Sequence, residues 1–318
     1  MQNLNTIKTR AEEIVRSHES LALQADALAR LPMFLAAIAS PLSEPVKQAA
    51  YAACRALDFI DADALCVASA WQKQSERTSQ FDTSAWPIEP QDFGLIANTS
   101  VPVDAFAACP HQLGLYAVLP DAAWVGRMAR AGVPTVQLRF KSDDLDAIQR
   151  EVNAAVQAVQ GTGALLFIND HWQAAIAAGA YGVHLGQEDL QELGSADLKA
   201  ICATGLRLGL SSHGYAEMLR AEAVKPSYIA LGAVYATTLK RMATPPQGPM
   251  RLKRYAELLR GTPTVAIGGI DAARLPEVLA SGVGSVAVVR ALVADDQPEA
   301  QAAALQGRIA AHLANKTP

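Results

Sequence analysis

The chain has 318 residues, 51% of them hydrophobic and 18% charged, with a formal net charge of −4. That balance excludes a disordered or low-complexity chain and supplies apolar material for a sizeable core. No apolar run reaches the roughly 18 residues a bilayer span requires, and no cluster of Lys and Arg suggests a nucleic-acid partner. The opening residues Met1-Gln2-Asn3-Leu4-Asn5 lack the basic and apolar regions of a secretory leader. A cytoplasmic protein with no membrane partner is therefore expected. Cys54, Cys66, Cys109 and Cys202 show no CxxC and no metal-ligand spacing with His, which predicts free thiols.

Glycine and charge divide the chain unevenly. Of 21 glycines only Gly94 precedes residue 113. Residues 1–112 carry 8 basic and 13 acidic side chains, and the remainder carries 19 and 18. Length predicts about two domains, and small-anion chemistry is expected in the second. Residues 5–31, rich in Ala, Leu, Glu and Arg, read as one helix with Pro32 near its end. A second helix is predicted over Pro45–Asp58, where Val46, Ala49, Ala50, Ala53 and Leu57 form an apolar stripe. A third starts at Asp61 or Asp63, either of which could cap it, and ends near Trp71. Residues 73–112, rich in Ser, Pro, Gln and Asp, read as an extended surface connector anchored by Trp86 and Phe93.

From Leu113 the pattern changes. Eight short apolar runs occur: Leu115–Leu119, Thr135–Leu138, Ala164–Ile168, Gly182–Leu185, Leu206–Leu210, Tyr228–Leu231, Thr264–Ile267 and Ser285–Val289. Amphipathic stretches lie between them at 121–131, 143–160, 171–179, 189–203, 215–224, 251–260 and 272–280, with 298–315 last. Eight strand–helix units in about 200 residues match a compact (β/α)8 TIM barrel. Strands apolar almost throughout are expected when both faces are covered. Alternation alone also admits a doubly wound open sheet.

In a barrel the site lies where the strands' C-terminal ends meet the βα loops. After the second run, alternation puts Gln137, Arg139 and Lys141 on one side and Leu138 and Phe140 on the other. Two cations and an amide there suit a phosphate or diphosphate; a solvated strand end is the plainer reading. Asp170 follows the third run and Asp189 the fourth, and both residues could simply cap helices. Two carboxylates beside two cations otherwise suggest a hard cation shared with substrate phosphates, which points to Mg²⁺. The fifth run ends in Ser211-Ser212-His213. The sixth leads into Thr237-Thr238-Leu239-Lys240 and then Pro245-Pro246-Gln247-Gly248, which reads as a clamp loop or an ordinary connection. Gly268-Gly269 follow the seventh run and Arg290 the eighth, where backbone N–H groups often bind phosphate in this fold. His184, inside an apolar strand, reads as a lining histidine with satisfied bonds. His171 and His213 sit at strand ends, and Trp172 reads as helix packing.

These motifs in this order resemble the thiamine phosphate synthase family from about Leu113 to Ala311. The matching elements are QLRFK at 137–141, INDHWQ at 168–173, YGVHLGQEDL at 181–190, LGLSSHG at 208–214, ALGAVYATTLK at 230–240, PPQG at 245–248, AIGGI at 266–270 and GVGSVAVV at 282–289. The resemblance implies a transferase with a (β/α)8 barrel at 113–318. It would join hydroxymethylpyrimidine diphosphate to a thiazole phosphate, or its carboxylated form, releasing pyrophosphate. It implies that Gln137, Arg139, Lys141 and Asn169 hold the pyrimidine diphosphate and that Asp170 and Asp189 hold Mg²⁺. It further implies diphosphate contacts from Ser211 and Lys240, and thiazole phosphate contacts from Thr237 and from the backbone of Gly269, Val289 and Arg290. Arg139, Lys141 and Lys240 are then the catalytic cations.

Two positions depart from the family pattern. Leu239 stands where a second Thr is common, and Arg290 where Ser is common. Residues 1–112 lie outside the resemblance. Their helices around 44–71 loosely resemble the C-terminal helices of hydroxymethylpyrimidine phosphate kinases, but with one glycine and no anion loop no kinase activity is expected. A thiazole tautomerase-like or regulatory barrel of the same superfamily is the nearest alternative, and a non-catalytic phosphate sensor the next. The sequence leaves a homo-oligomer open.

Overall fold

The computed structural model describes residues 2–36, 44–95, 105–237 and 244–314. The chain forms two compact units, Met1–Thr99 with Gly214–Arg220, and Ser100–His213 with Ala221–Pro318. Among the described residues no helix is long and apolar enough to cross a membrane.

The first unit is helical: α1 (Gln2–Ser17), α2 (Ala27–Ala36), α3 (Pro45–Ala56) and α4 (Asp61–Thr78), followed by a 3-10 turn at Pro90–Phe93. The single helix expected over 5–31 is thus two helices, with Pro32 inside the second. The break has a tertiary cause. The Asp58 carboxylate accepts the backbone N–H groups of Leu23 and Gln24 at 3.0 Å each and pairs with Arg30 at 2.9 Å. Those bonds hold 22–26 in a turn that local helix propensity cannot override. Helix α4 outruns its expected end at Trp71 because its last turns are polar rather than non-helical. Gln72 donates to Glu76 one turn on, at 2.7 Å. Neither Asp61 nor Asp63 caps it; Ile60 occupies the cap position. Asp63 is buried and accepts the Ala216 N–H at 2.8 Å, within the same unit. The expected surface connector is in part core. Trp86 and Phe93 are buried in an aromatic cluster, with Trp86 edge-on to Trp71 at 5.1 Å and Phe93 stacked on Tyr215 at 5.3 Å.

The second unit is a closed barrel of eight parallel strands in sequence order. They are β1 (Gly114–Leu119), β2 (Thr135–Leu138), β3 (Leu165–Asn169), β4 (Gly182–Leu185), β5 (Arg207–Ser212), β6 (Tyr228–Leu231), β7 (Thr264–Ala266) and β8 (Ser285–Val288). Closure by β1–β8 pairing, Gly114 opposite Ser285, excludes the open-sheet alternative. The helices between and after the strands are α5 (Ala122–Arg130), α6 (Leu145–Ala158), α7 (Trp172–Ala178), α8 (Gln187–Glu192), α9 (Ser195–Ala203), α10 (Tyr215–Val224, counted with the first unit as far as Arg220), α11 (Gly248–Leu258), α12 (Leu275–Ala280), α13 (Arg290–Val293) and α14 (Pro298–Ala314). The one helix expected over 189–203 is divided at Gly194 into α8 and α9. Side-chain caps start several of the helices: Asp121 accepts from the Trp124 N–H at 2.8 Å, and Asp144 from those of Asp146 and Ala147.

Strand alternation fills the barrel with Tyr116, Phe167 and Tyr228, packed with Val118, Ala230, Val265 and Ala287. Three large rings fit because neighbouring interior positions are empty of side chain. A Cβ at Gly209 would lie 2.2 Å from the Tyr228 ring. The rings close the middle of the barrel, so the polar groups of the next interior layer face its C-terminal mouth.

Candidate active site

The C-terminal ends of the strands surround a cavity of about 560 Å³. Each strand contributes through its inward positions. β2 carries Gln137 and, just beyond its end, Arg139 and Lys141; β3 ends in Asn169 and Asp170; Asp189 lies in the first turn of α8 after β4; β5 supplies Ser211. Thr237, Gly269, Val289 and Arg290 complete the expected set on the opposite side. All line the one cavity. Lys240, with Thr238 and Leu239, lies outside the described residues.

The helix-capping reading applies to only one of the two carboxylates. Asp189 Oδ2 accepts the Gly186 N–H at 2.8 Å, so Asp189 is partly occupied in shaping the β4 loop. Asp170 does not cap α7, whose N-cap is His171. It sits at φ +65, the left-handed region that costs an Asp less than most residues. Although the residue is exposed overall, partial removal of its carboxyl from water raises that group above the ordinary value, and the Asp189 charge adds to the shift. Arg139 and His171 oppose it. Two close carboxylates of this kind are destabilising unless a cation lies against them. Hard oxygen donors, too few to enclose an ion, fit Mg²⁺ whose other ligands come from water and substrate phosphates. Among the described residues no group of three or more His, Cys, Asp or Glu forms a self-sufficient metal cage.

Among the described residues Arg139, Lys141 and Arg290 form no ion pair. The histidines are held by protein groups: His184 is 7% exposed and bonded on both ring nitrogens, and His171 Nε2 lies 3.0 Å from the Phe140 carbonyl oxygen. Trp172 belongs to α7, as expected. The described cysteines are all free.

The glycines after β7 do something the sequence did not indicate. Gly268 (φ +104) and Gly269 (φ +64) admit the backbone of the β6 loop: a Cβ would lie 2.6 Å from Ala233 Cα and 2.6 Å from the Ala236 carbonyl oxygen, respectively. They join two loops as well as lining the cavity. Arg274, unremarked in the sequence, also lines it. Its Nη1 donates to the Gly269 carbonyl at 2.6 Å and its guanidinium lies 4.7 Å from the centre of the Tyr235 ring. No periodicity flags Arg274, because it lies in the turn before α12. Tyr116 and Tyr228 were legible only as interior strand residues; that their hydroxyls would meet depends on the closure of the barrel.

Comparison with known proteins adds an independent line. The model of the family described as thiamine monophosphate synthase matches residues 115–292. A thiamine-phosphate synthase of Neisseria gonorrhoeae is 56% identical over 194 residues, 61% of this chain and 93% of that protein. One from Photorhabdus laumondii is 50% identical over 193 residues, 61% and 88% of the two chains. Among solved structures, a thiamine phosphate pyrophosphorylase from Pyrococcus furiosus superposes with a TM-score of 0.56 at 27% identity, covering 63% of this chain and 97% of its own.

Proposed function

The chain belongs to the thiamine monophosphate synthase family, and from that premise we propose how its barrel mouth carries out the coupling. The enzyme is a transferase of thiamine biosynthesis that acts on small molecules. The substrates are hydroxymethylpyrimidine diphosphate and a thiazole phosphate. The C–O bond between the pyrimidine methylene and the diphosphate breaks, and its electron pair leaves with pyrophosphate. The aminopyrimidine ring delocalises the resulting positive charge. The thiazole nitrogen then supplies its lone pair to the methylene, forming the C–N bond of thiamine phosphate. No side-chain nucleophile is required, and the protein's task is to stabilise a departing polyanion.

The observation that carries this reading is the convergence on one cavity of Arg139, Lys141, Asn169, Asp170 and Asp189 from the ends of β2, β3 and β4. Arg139 and Lys141, free of ion pairs among the described residues, bind and orient the diphosphate with Asn169 and Ser211. Gln137 reads the pyrimidine from the floor. Thr237 and the backbone of Gly269, Val289 and Arg290 hold the thiazole phosphate across the cavity, and Lys240, outside the described residues, is read as a further contact to the diphosphate. Asp170 and Asp189 would hold Mg²⁺, which supplies charge neutralisation of the diphosphate when bound. The complete diphosphate set favours the coupling enzyme over a tautomerase-like or sensing barrel. The first unit is read as a non-catalytic appendage without kinase activity.

The test is pyrophosphate release from the two substrates by the full chain, with Mg²⁺ varied. The wild type is expected to release pyrophosphate in a Mg²⁺-dependent manner. Changing Asp170→Asn and Asp189→Asn together should lower the rate by about 100-fold or more. Full activity in that double variant would defeat the metal assignment.

A further inference from the structure

Beneath the cavity floor a chain of hydrogen bonds crosses the barrel interior from β2 to β5. Gln137 Nε2 donates to Tyr116 Oη at 2.9 Å, and Tyr116 Oη lies 2.7 Å from Tyr228 Oη. Tyr228 Oη lies 2.8 Å from His184 Nδ1, and His184 Nε2 lies 2.8 Å from Ser211 Oγ. Both ends, Gln137 and Ser211, line the cavity, and His184 reaches its wall between them. The three middle groups are buried, and the coupling reaction assigns them no task.

Proton counting gives the chain one direction. The amide nitrogen of Gln137 only donates. Tyr116 has no acceptor other than Tyr228 among its described partners, so its single proton is used only if it points at Tyr228. Tyr228 then directs its own proton at His184 Nδ1. A neutral imidazole accepting at Nδ1 carries its hydrogen on Nε2, and that hydrogen goes to Ser211 Oγ. The Ser211 proton is left to point into the cavity. Burial raises both phenols above their ordinary range, so both retain the protons this order needs.

We propose that Tyr116, Tyr228 and His184 are positioning residues that lock Gln137 as a hydrogen-bond acceptor and Ser211 as a donor toward substrate. The inference rests on the reading that Gln137 meets the pyrimidine and Ser211 the diphosphate. Under it the two substrate groups demand the same direction. A diphosphate oxygen only accepts, so it requires the Ser211 proton. An exocyclic amine donates, so it requires Gln137 Oε1. The reversed chain would rotate the amide, present NH₂ to the amine, and turn the Ser211 proton away from the anion. The chain therefore selects an aminopyrimidine over a pyrimidine with an oxo group at that position, and its two tyrosines act from outside the cavity lining.

The tautomer of His184 is read directly by ¹⁵N NMR of the full chain labelled at histidine. The expected pattern is a pyrrole-type Nε2 and a pyridine-type Nδ1, with that preference lost in Tyr228→Phe. Kinetically, Tyr116→Phe and Tyr228→Phe should each raise KM for the pyrimidine diphosphate about fivefold. KM for the thiazole phosphate should stay within about twofold. Tyr116→Phe, which frees the Gln137 amide to rotate, should also weaken discrimination against the oxo analogue. A wild-type Nδ1–H tautomer, or unchanged pyrimidine KM in both Phe variants, overturns the proposal. Failure of the underlying reading looks different: Gln137→Ala and Ser211→Ala would keep wild-type KM for the pyrimidine diphosphate while the tautomer pattern stood. That result would overturn the placement of substrate, and with it the selection, but not the direction of the chain.

Discussion

The aromatic core of the first unit and the mouth of the barrel treat their polar groups in opposite ways. In that core several close inward. Asp92, 3% exposed at its side chain, pairs with Arg77 at 2.6 Å, Asp63 accepts the Ala216 N–H, and Trp86 Nε1 donates to Tyr215 Oη at 2.9 Å. At the barrel mouth, Arg139, Lys141 and Arg290 form no ion pair among the described residues, and two carboxylates stand close enough that one disfavours ionisation of the other. A polar group whose bonding is completed within the fold serves stability. One left to face a cavity holds interaction energy in reserve for a ligand. The same contrast accounts for the glycine distribution: the barrel needs close approaches of backbone and ring at its loops and floor, and packed helices do not.

Substitutions that separate stability from chemistry should sharpen this contrast or break it. The largest effect is expected from Trp86→Ala, which empties the centre of the aromatic cluster and should cost about 3–5 kcal/mol in denaturant unfolding. Below the unfolding transition, kcat/KM for coupling should stay within about twofold of wild type. A large kinetic defect in the folded variant would mean that the first unit takes part in the reaction. At the other pole, Arg290→Ala should leave stability within about 0.5 kcal/mol and raise KM for the thiazole phosphate about tenfold, if this Arg compensates for Leu239 at the position where Thr is common. An unchanged KM would assign that contact to the backbone alone.

The smallest effect concerns pH. Burial holds the Glu222 carboxyl above its ordinary value, against the lowering bond from the Thr262 hydroxyl. A carboxyl raised in the folded state stabilises fully below its unfolded value, and that contribution is lost as pH rises through the folded value. Glu222→Gln should therefore flatten the fall in stability just above the ordinary Glu range, read by urea unfolding across pH. An identical slope in variant and wild type would contradict the assignment.

The barrel was legible because its signals are local. Four-residue runs such as Thr135–Leu138 and Tyr228–Leu231 coincide with whole strands. Alternation alone put Gln137, Arg139 and Lys141 on the side that lines the cavity. The first unit was less legible because its determinants are distant in sequence. Asp58 turns the chain at 23–24, and Trp86 finds its partner at Tyr215, 129 residues away. No window of sequence contains either pair. The polar last turns of α4 likewise resemble a connector until packing supplies the helix with a buried face, as at Gln74. In the site, the residues missed were of the same kind. Tyr116, Tyr228 and Arg274 have roles that exist only when the strands close and the β6 and β7 loops meet.

The most direct test of the central claim is the product balance of the full chain given the pyrimidine diphosphate and the thiazole phosphate, compared with Arg139→Ala. The wild type should form thiamine phosphate and pyrophosphate in equal amounts. The variant should keep its fold and lose about 100-fold or more in kcat/KM for the pyrimidine diphosphate, since it lacks a charged anchor of the leaving group. Wild-type coupling by the folded variant, or pyrophosphate released without thiamine phosphate, would contradict the account.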